Sequence, residues 1–260
     1  MLAIRRYGVL SAVDTAFWVY GRHFAVMAGL GLLLGTVNIA FGLGALYFLP
    51  DAEVLESNDV LEILASYAER AGMLLASVAL ALVVGAFGTA AATRLSVQIA
   101  LDQTPSLAEA LKVASKKFLP VMTGTLISGI AGVLCFVPFI LPGVYVALGF
   151  AFVAPIIVQE DASAPNAIGR SWRLTRKQRG RLFGAFLLIV LILLAFALGV
   201  DVLLRTMFAV EDVFTLQLSQ TLVSGVLNAV LAPIYYLVLV LFYFGARVEH
   251  EAFDVEMLVR

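Results

Sequence analysis

One cysteine, two histidines and a charged fraction of only 13% are all that 260 residues offer for chemistry in water. A soluble domain of ordinary composition carries about 25% charged residues. The lone Cys135 excludes an intrachain disulfide, and within the apolar run 132–140 it reads as a small buried hydrophobe. General acid–base or metal chemistry needs His, Cys, Asp or Glu converging on one pocket. His23 stands beside Arg22, and His250 stands between Glu249 and Glu251 near the C-terminus. Adjacent residues on a helix point apart, so the Glu-His-Glu tail is not aimed at one ion. No glycine pattern marks a phosphate loop or nucleotide site. The sequence therefore predicts no catalytic residue, no metal ligand, no cofactor and no nucleic-acid partner.

What is abundant is hydrophobic side chain, 62% of the chain. It is gathered into runs almost free of charge at 24–49, 72–93, 119–141, 142–159, 182–204 and 221–245. Each matches the roughly 20 residues needed to cross about 30 Å of hydrocarbon. None alternates like a barrel strand, and backbone groups cannot stay unpaired in lipid, so each is expected to be a helix. The fold class is thus all-α integral membrane, a single polytopic domain over 1–260 with six transmembrane helices. Asp14, Arg22 and His23 interrupt the stretch after Arg5 and Arg6, so no cleaved signal peptide is expected. Pro142 and Gly143 predict a tight reversal between the third and fourth spans.

Basic residues set orientation, because cytoplasmic loops retain Lys and Arg. With the N-terminus inside, 15 of the 17 basic residues fall inside, and only Arg70 and Arg205 fall outside. Both termini are therefore expected in the cytoplasm. The loop 50–70 would lie outside, with Asp51, Glu53, Glu56, Asp59, Glu62 and Glu69.

Short amphipathic stretches precede spans one, three and five, at 11–23, 106–118 and 165–181. In the second, Leu107, Ala110, Leu111, Ala114 and Phe118 recur at three- and four-residue steps, and Ser106 with Glu109 has capping-box spacing. In the third, Ile168, Trp172, Thr175 and Leu182 gather opposite Arg170, Arg173, Lys177 and Arg181, and Arg179 interrupts the apolar side. Two readings stand for that row. It is a topology anchor, or it is a contact for anionic headgroups or a partner protein, each cation contributing about 1 kcal/mol near an anionic leaflet.

Within the spans, Asp201 lies four residues before Arg205 near an outer end. The pair reads as a structural ion pair or as part of a transport path. Asn38 and Asn228, near the middles of spans one and six, can hydrogen-bond across helices. Gly31 with Gly35, and Gly124 with Ser128 and Gly132, are spaced for close helix contact. Pro155 and Pro233 are expected to kink spans four and six.

The segments Leu141-Pro142-Gly143-Val144-Tyr145, Ala154-Pro155-Ile156-Ile157-Val158 and Ala167-Ile168-Gly169-Arg170-Ser171-Trp172-Arg173-Leu174 resemble the membrane domain of glycerophosphoryl diester phosphodiesterases. So do Val13-Asp14-Thr15-Ala16-Phe17-Trp18-Val19-Tyr20-Gly21-Arg22-His23-Phe24 and Phe242-Tyr243-Phe244-Gly245-Ala246-Arg247-Val248-Glu249. That domain is sometimes fused to a catalytic barrel, and it also resembles stand-alone bacterial membrane proteins. The chain looks like the stand-alone kind, so the resemblance implies the bacterial cytoplasmic membrane and no hydrolase activity. The functional expectation is a non-enzymatic module that binds membrane lipid or a membrane protein partner. A small-solute or lipid transporter or channel is the alternative.

Overall fold

The computed structural model describes residues 7–48, 59–136, 140–208 and 213–251, and every element among them is a helix. Five helical stretches, Val60–Ala100, Leu107–Phe136, Ile140–Glu160, Arg179–Val200 and Ala229–Glu251, are long and apolar enough to cross a membrane.

α1 (Val9–Arg22) and α2 (Phe24–Phe48) are separated only by His23, whose N–H bonds back to Val19 and Tyr20. α1 buries Ala12, Val13, Ala16, Val19 and Tyr20, while Leu10 and Trp18 stay 74% and 60% exposed. α3 (Val60–Ala100) starts where the Asp59 carboxylate accepts from Leu61 N at 2.9 Å. At 41 residues it is roughly 60 Å long, against about 40–45 Å for a bilayer with its headgroups. It ends in a Schellman arrangement: Asp102 takes φ 57°, and Gln103 N reaches Gln98 O at 2.8 Å.

α4 (Leu107–Phe136) is one helix through Pro120, so the expected boundary between an interfacial stretch 106–118 and a span from 119 does not interrupt the backbone. Proline costs one ladder bond, and the Thr123 hydroxyl donates to the nearby carbonyls of Leu119 and Pro120 at 3.0 Å each. The expected capping box is half formed. Ser106 Oγ accepts from Glu109 N at 3.3 Å, but the Glu109 carboxylate turns to Arg94 at 2.5 Å, and Ser106 N donates to Gln98 Oε1 instead.

Between α4 and α5 (Ile140–Gly149), Pro142 sits in the first turn of the new helix. There its missing N–H is one the helix leaves unpaired anyway. The expected reversal is therefore not made at 141–143, which lie within the helix. The fourth apolar run is also not one helix. It breaks at Phe150–Phe152 and resumes as α6 (Val153–Glu160), which stops where Asp161 adopts φ 55° and pairs with Lys117. The stretch 165–181 divides too, into α7 (Ala164–Thr175), a turn at Arg176–Gln178, and the start of α8 (Arg179–Phe208).

α9 (Val213–Glu251) forms the centre. Of its most apolar window 72% is buried, against 11% for that of α8. It packs on α1, α2, α3, α7 and α8, with Leu241, Phe242, Tyr243 and Phe244 all buried. α2 crosses it closely: a Cβ on Gly31 would overlap the Ala229 carbonyl, and one on Gly35 would lie 2.7 Å from Gly225 O. In α4 the expected small-residue contact is made by Gly124, against Val153 and Ile157. A Cβ on Gly132 would meet nothing within 4 Å. Outward from this core, Phe183, Leu187, Val190, Leu191, Leu194 and Leu198 leave α8 with an exposed apolar face.

Candidate functional site

The break between α5 and α6 is held by α7. Gly149 O accepts from Ser171 Oγ at 2.8 Å, and Ser171 Oγ accepts from Phe152 N at 3.1 Å. Thr175 Oγ1 bonds Ser171 O at 2.9 Å and approaches Gly149 O at 3.3 Å. One buried serine thus satisfies both a carbonyl and an amide freed where the ladder is cut. The stripe of α7 turned inward is therefore Ala164, Ala167, Ser171, Leu174 and Thr175. Ile168 and Trp172 stand at its margin, half-buried.

Trp172 packs on Phe150 and Tyr145, with ring centroids 5.6 and 5.8 Å away. Gly149 lies directly beneath it, where any Cβ would collide with the indole. Arg179, the cation that breaks the apolar side in the sequence, is only 6% exposed. Its guanidinium lies between two aromatic faces, 4.0 Å from the centroids of both Tyr145 and Trp172. Stacking a weakly hydrated guanidinium against π faces compensates part of its desolvation.

The expected cation row separates into two sets. Arg170 places Nε 2.5 Å from Glu160 Oε2 and Nη2 2.7 Å from Glu251 Oε1. Arg181 meets Glu249 Oε2 at 3.0 Å, where Gln178 Nε2 also donates at 3.4 Å. Arg247 bonds Glu251 at 3.1 Å, and the Tyr243 hydroxyl donates to Glu160 Oε1 at 2.6 Å. Burial works against the charge on Arg170, but the hydrogen bond and charge of Glu160, with Glu251 beyond, outweigh it and raise its pKa. Three guanidinium groups and three carboxylates thus neutralise one another and tie α6, α7 and α8 to the end of α9. Arg173 and Lys177, with Arg176 between them, form the second set: all three are exposed, and none makes an ion pair within the described residues.

Glu160, Ser171, Tyr243, Glu249 and Glu251 were not legible as site residues. The one local signal was the four-residue spacing of Arg247 and Glu251. The side chains of Asn38, Asp201, Arg205 and Asn228 lie outside the described residues.

Deeper in the helices, a cavity of about 300 Å³ opens between α3, α4, the α5–α6 break and α9. Its lining includes Thr89, Thr125, Ser128, Tyr235 and Tyr236 and, among the described residues, no charged one.

Residues 69–245, about two thirds of the chain, match the family model described as Domain of unknown function (DUF7847). The chain belongs to that family. The DUF7847 stretch contains the cavity, the broken span, the Arg179 stack and the exposed cations, while α1, α2, Arg247, Glu249 and Glu251 lie beyond it. No curated protein and no solved structure matches the chain.

Proposed function

We propose that this protein is a non-enzymatic, six-span module of the bacterial cytoplasmic membrane, with both termini in the cytoplasm, that binds anionic lipid headgroups at the turn joining α7 to α8. The observation carrying this reading is the division of the cation row. Arg170, Arg179 and Arg181 are occupied by glutamates or aromatic rings. Arg173, Arg176 and Lys177 project from the turn unpaired, beside the exposed apolar face of α8. A cation left unpaired next to lipid-facing surface suits a phosphate headgroup, each contributing about 1 kcal/mol at an anionic surface. Trp172 positions the turn by packing under it rather than by touching lipid.

The test is mass spectrometry of the protein extracted in a detergent-free polymer, wild type against the triple variant R173Q/R176Q/K177Q. Enrichment of anionic over zwitterionic lipid in the wild type, lost in the triple variant, is the expected result. Equal lipid composition in both would reduce the turn to a topology anchor. A protein recovered with the wild type alone would replace lipid by a partner.

A further inference from the structure

The cavity beside the α5–α6 break lies at hydrocarbon depth. Counting 1.5 Å per residue from Arg94 to Thr89, from Lys117 to Ser128 and from Arg247 to Tyr236 places it roughly 8–17 Å in from the basic ends of these helices. At that level one expects lipid-like side chains, yet the wall carries hydroxyls from three helices. Thr89 Oγ1 and Tyr236 OH are 2.9 Å apart, and Tyr235 stacks edge-on against Tyr236.

Thr125 and Ser128 of α4 differ in a telling way. Thr125 returns its hydroxyl to its own helix, to Val121 O at 2.8 Å, as hydroxyls in apolar helices commonly do. Ser128, one turn on, does not: its Oγ is buried and has no hydrogen-bond partner. A buried hydroxyl without a partner carries a desolvation cost, which turning Ser128 Oγ into the cavity toward a ligand's polar group would relieve. The cut backbone of Phe150 and Ala151 forms part of the same wall, an irregularity tolerated at this depth where it lines a cavity.

The mouth faces sideways. Gly129 and Ala147, on facing helices, line the cavity and are exposed, and a Cβ on Gly129 would meet nothing within 4 Å. Small residues at both lips leave a lateral opening toward the bilayer. The uncharged lining selects against phosphate or ammonium, whose burial without a counter-charge is costly. An amphiphile entering from the membrane must therefore have a head that is polar, hydroxyl-bearing and neutral.

We propose that this cavity binds the head of an uncharged, hydroxyl-bearing lipid of the diacylglycerol class, admitted between Gly129 and Ala147 with its acyl chains left in the bilayer. The site is separate from the cations of the α7–α8 turn, so the two readings stand or fall independently.

The experiment uses the full chain in phosphatidylcholine nanodiscs doped with a diazirine-bearing diacylglycerol, with cross-linked peptides mapped by mass spectrometry. Labelling of the segments holding Thr125–Gly129 and Tyr235–Leu239, displaced by unlabelled dioleoylglycerol, is expected. Gly129→Leu should plug the mouth and lower the labelling about tenfold, with an unchanged melting temperature because no packed contact is disturbed. Ser128→Ala should weaken competition about threefold to tenfold, the range for one hydrogen bond. Labelling that is indifferent to Gly129→Leu overturns the proposal. So does equal labelling by diazirine-bearing phosphatidic acid, or labelling no higher than with diazirine-bearing phosphatidylcholine.

Discussion

Arg179 shows how one residue changes meaning between sequence and fold. On a helical wheel it is a charge that spoils an apolar face. In space it is a cation enclosed by Trp172 and Tyr145, its Nη2 also 3.4 Å from Trp172 O. A planar guanidinium can lie flat on two rings at once, whereas an ammonium is a compact, strongly hydrated point charge. Arg179→Lys keeps the charge and the stem but gives up the double stack. It is expected to cost about 1–2 kcal/mol, read as a lower melting temperature in mild detergent, with Trp172 emission shifted to longer wavelength as water reaches the indole. An unchanged melt would mean that the stack contributes nothing net. The neighbouring Arg181, one of a row of cations in the sequence, is held by Glu249 68 residues away. No local pattern announces such a partner.

At the scale of helices, the apolar runs mark where chain is buried in lipid or protein, and among the described residues all of them are helical apart from one break. Where helices begin, end or break is decided by single polar contacts that composition does not reveal. The run 142–159 has no charge to interrupt it, yet it is cut at Phe150–Phe152 because Ser171 and Thr175 offer hydroxyls to the freed backbone. Conversely, the expected boundary between 118 and 119 does not interrupt the helix, and Pro120 beside it is absorbed. Small residues were legible as contacts, but which of them make contact depends on the neighbour. Gly31 faces the α9 backbone, so Gly31→Ala is expected to force α2 and α9 apart at about 1–3 kcal/mol. Gly132→Ala meets open space and should be neutral or stabilising by up to about 1 kcal/mol through helix propensity. Thermal unfolding of the two variants side by side checks the pair, and a Gly31→Ala protein as stable as wild type would remove the close crossing.

The whole molecule is polarised along its helices. Arg94 pairs with Glu109 across α3 and α4, Lys117 with Asp161, Glu160 with Arg170, Glu251 with Arg170 and Arg247, and Arg181 with Glu249. These pairs link the end of α3, the first half of α4, the end of α6, the middle of α7, the start of α8 and the end of α9 into one polar end. The Arg94 hydrogen bond and charge hold the exposed Glu109 carboxyl below its usual range, so that link persists until pH falls below the ordinary glutamate value. Glu62, Glu69 and Arg70 stand at the other end of α3. The positive excess at the first end predicts that it stays in the cytoplasm. Counting α3, α4 and the broken α5–α6 helix between Glu62 and Lys177 as three crossings predicts that these two positions face opposite sides. In a Cys135→Ala background, Glu62→Cys is expected to react with an impermeant maleimide on intact cells, and Lys177→Cys only after permeabilisation. The reverse pattern would invert the topology. Labelling of both from one side would mean that one of the three does not cross, and the broken α5–α6 helix, which lines the cavity, is the one whose placement would then have to change.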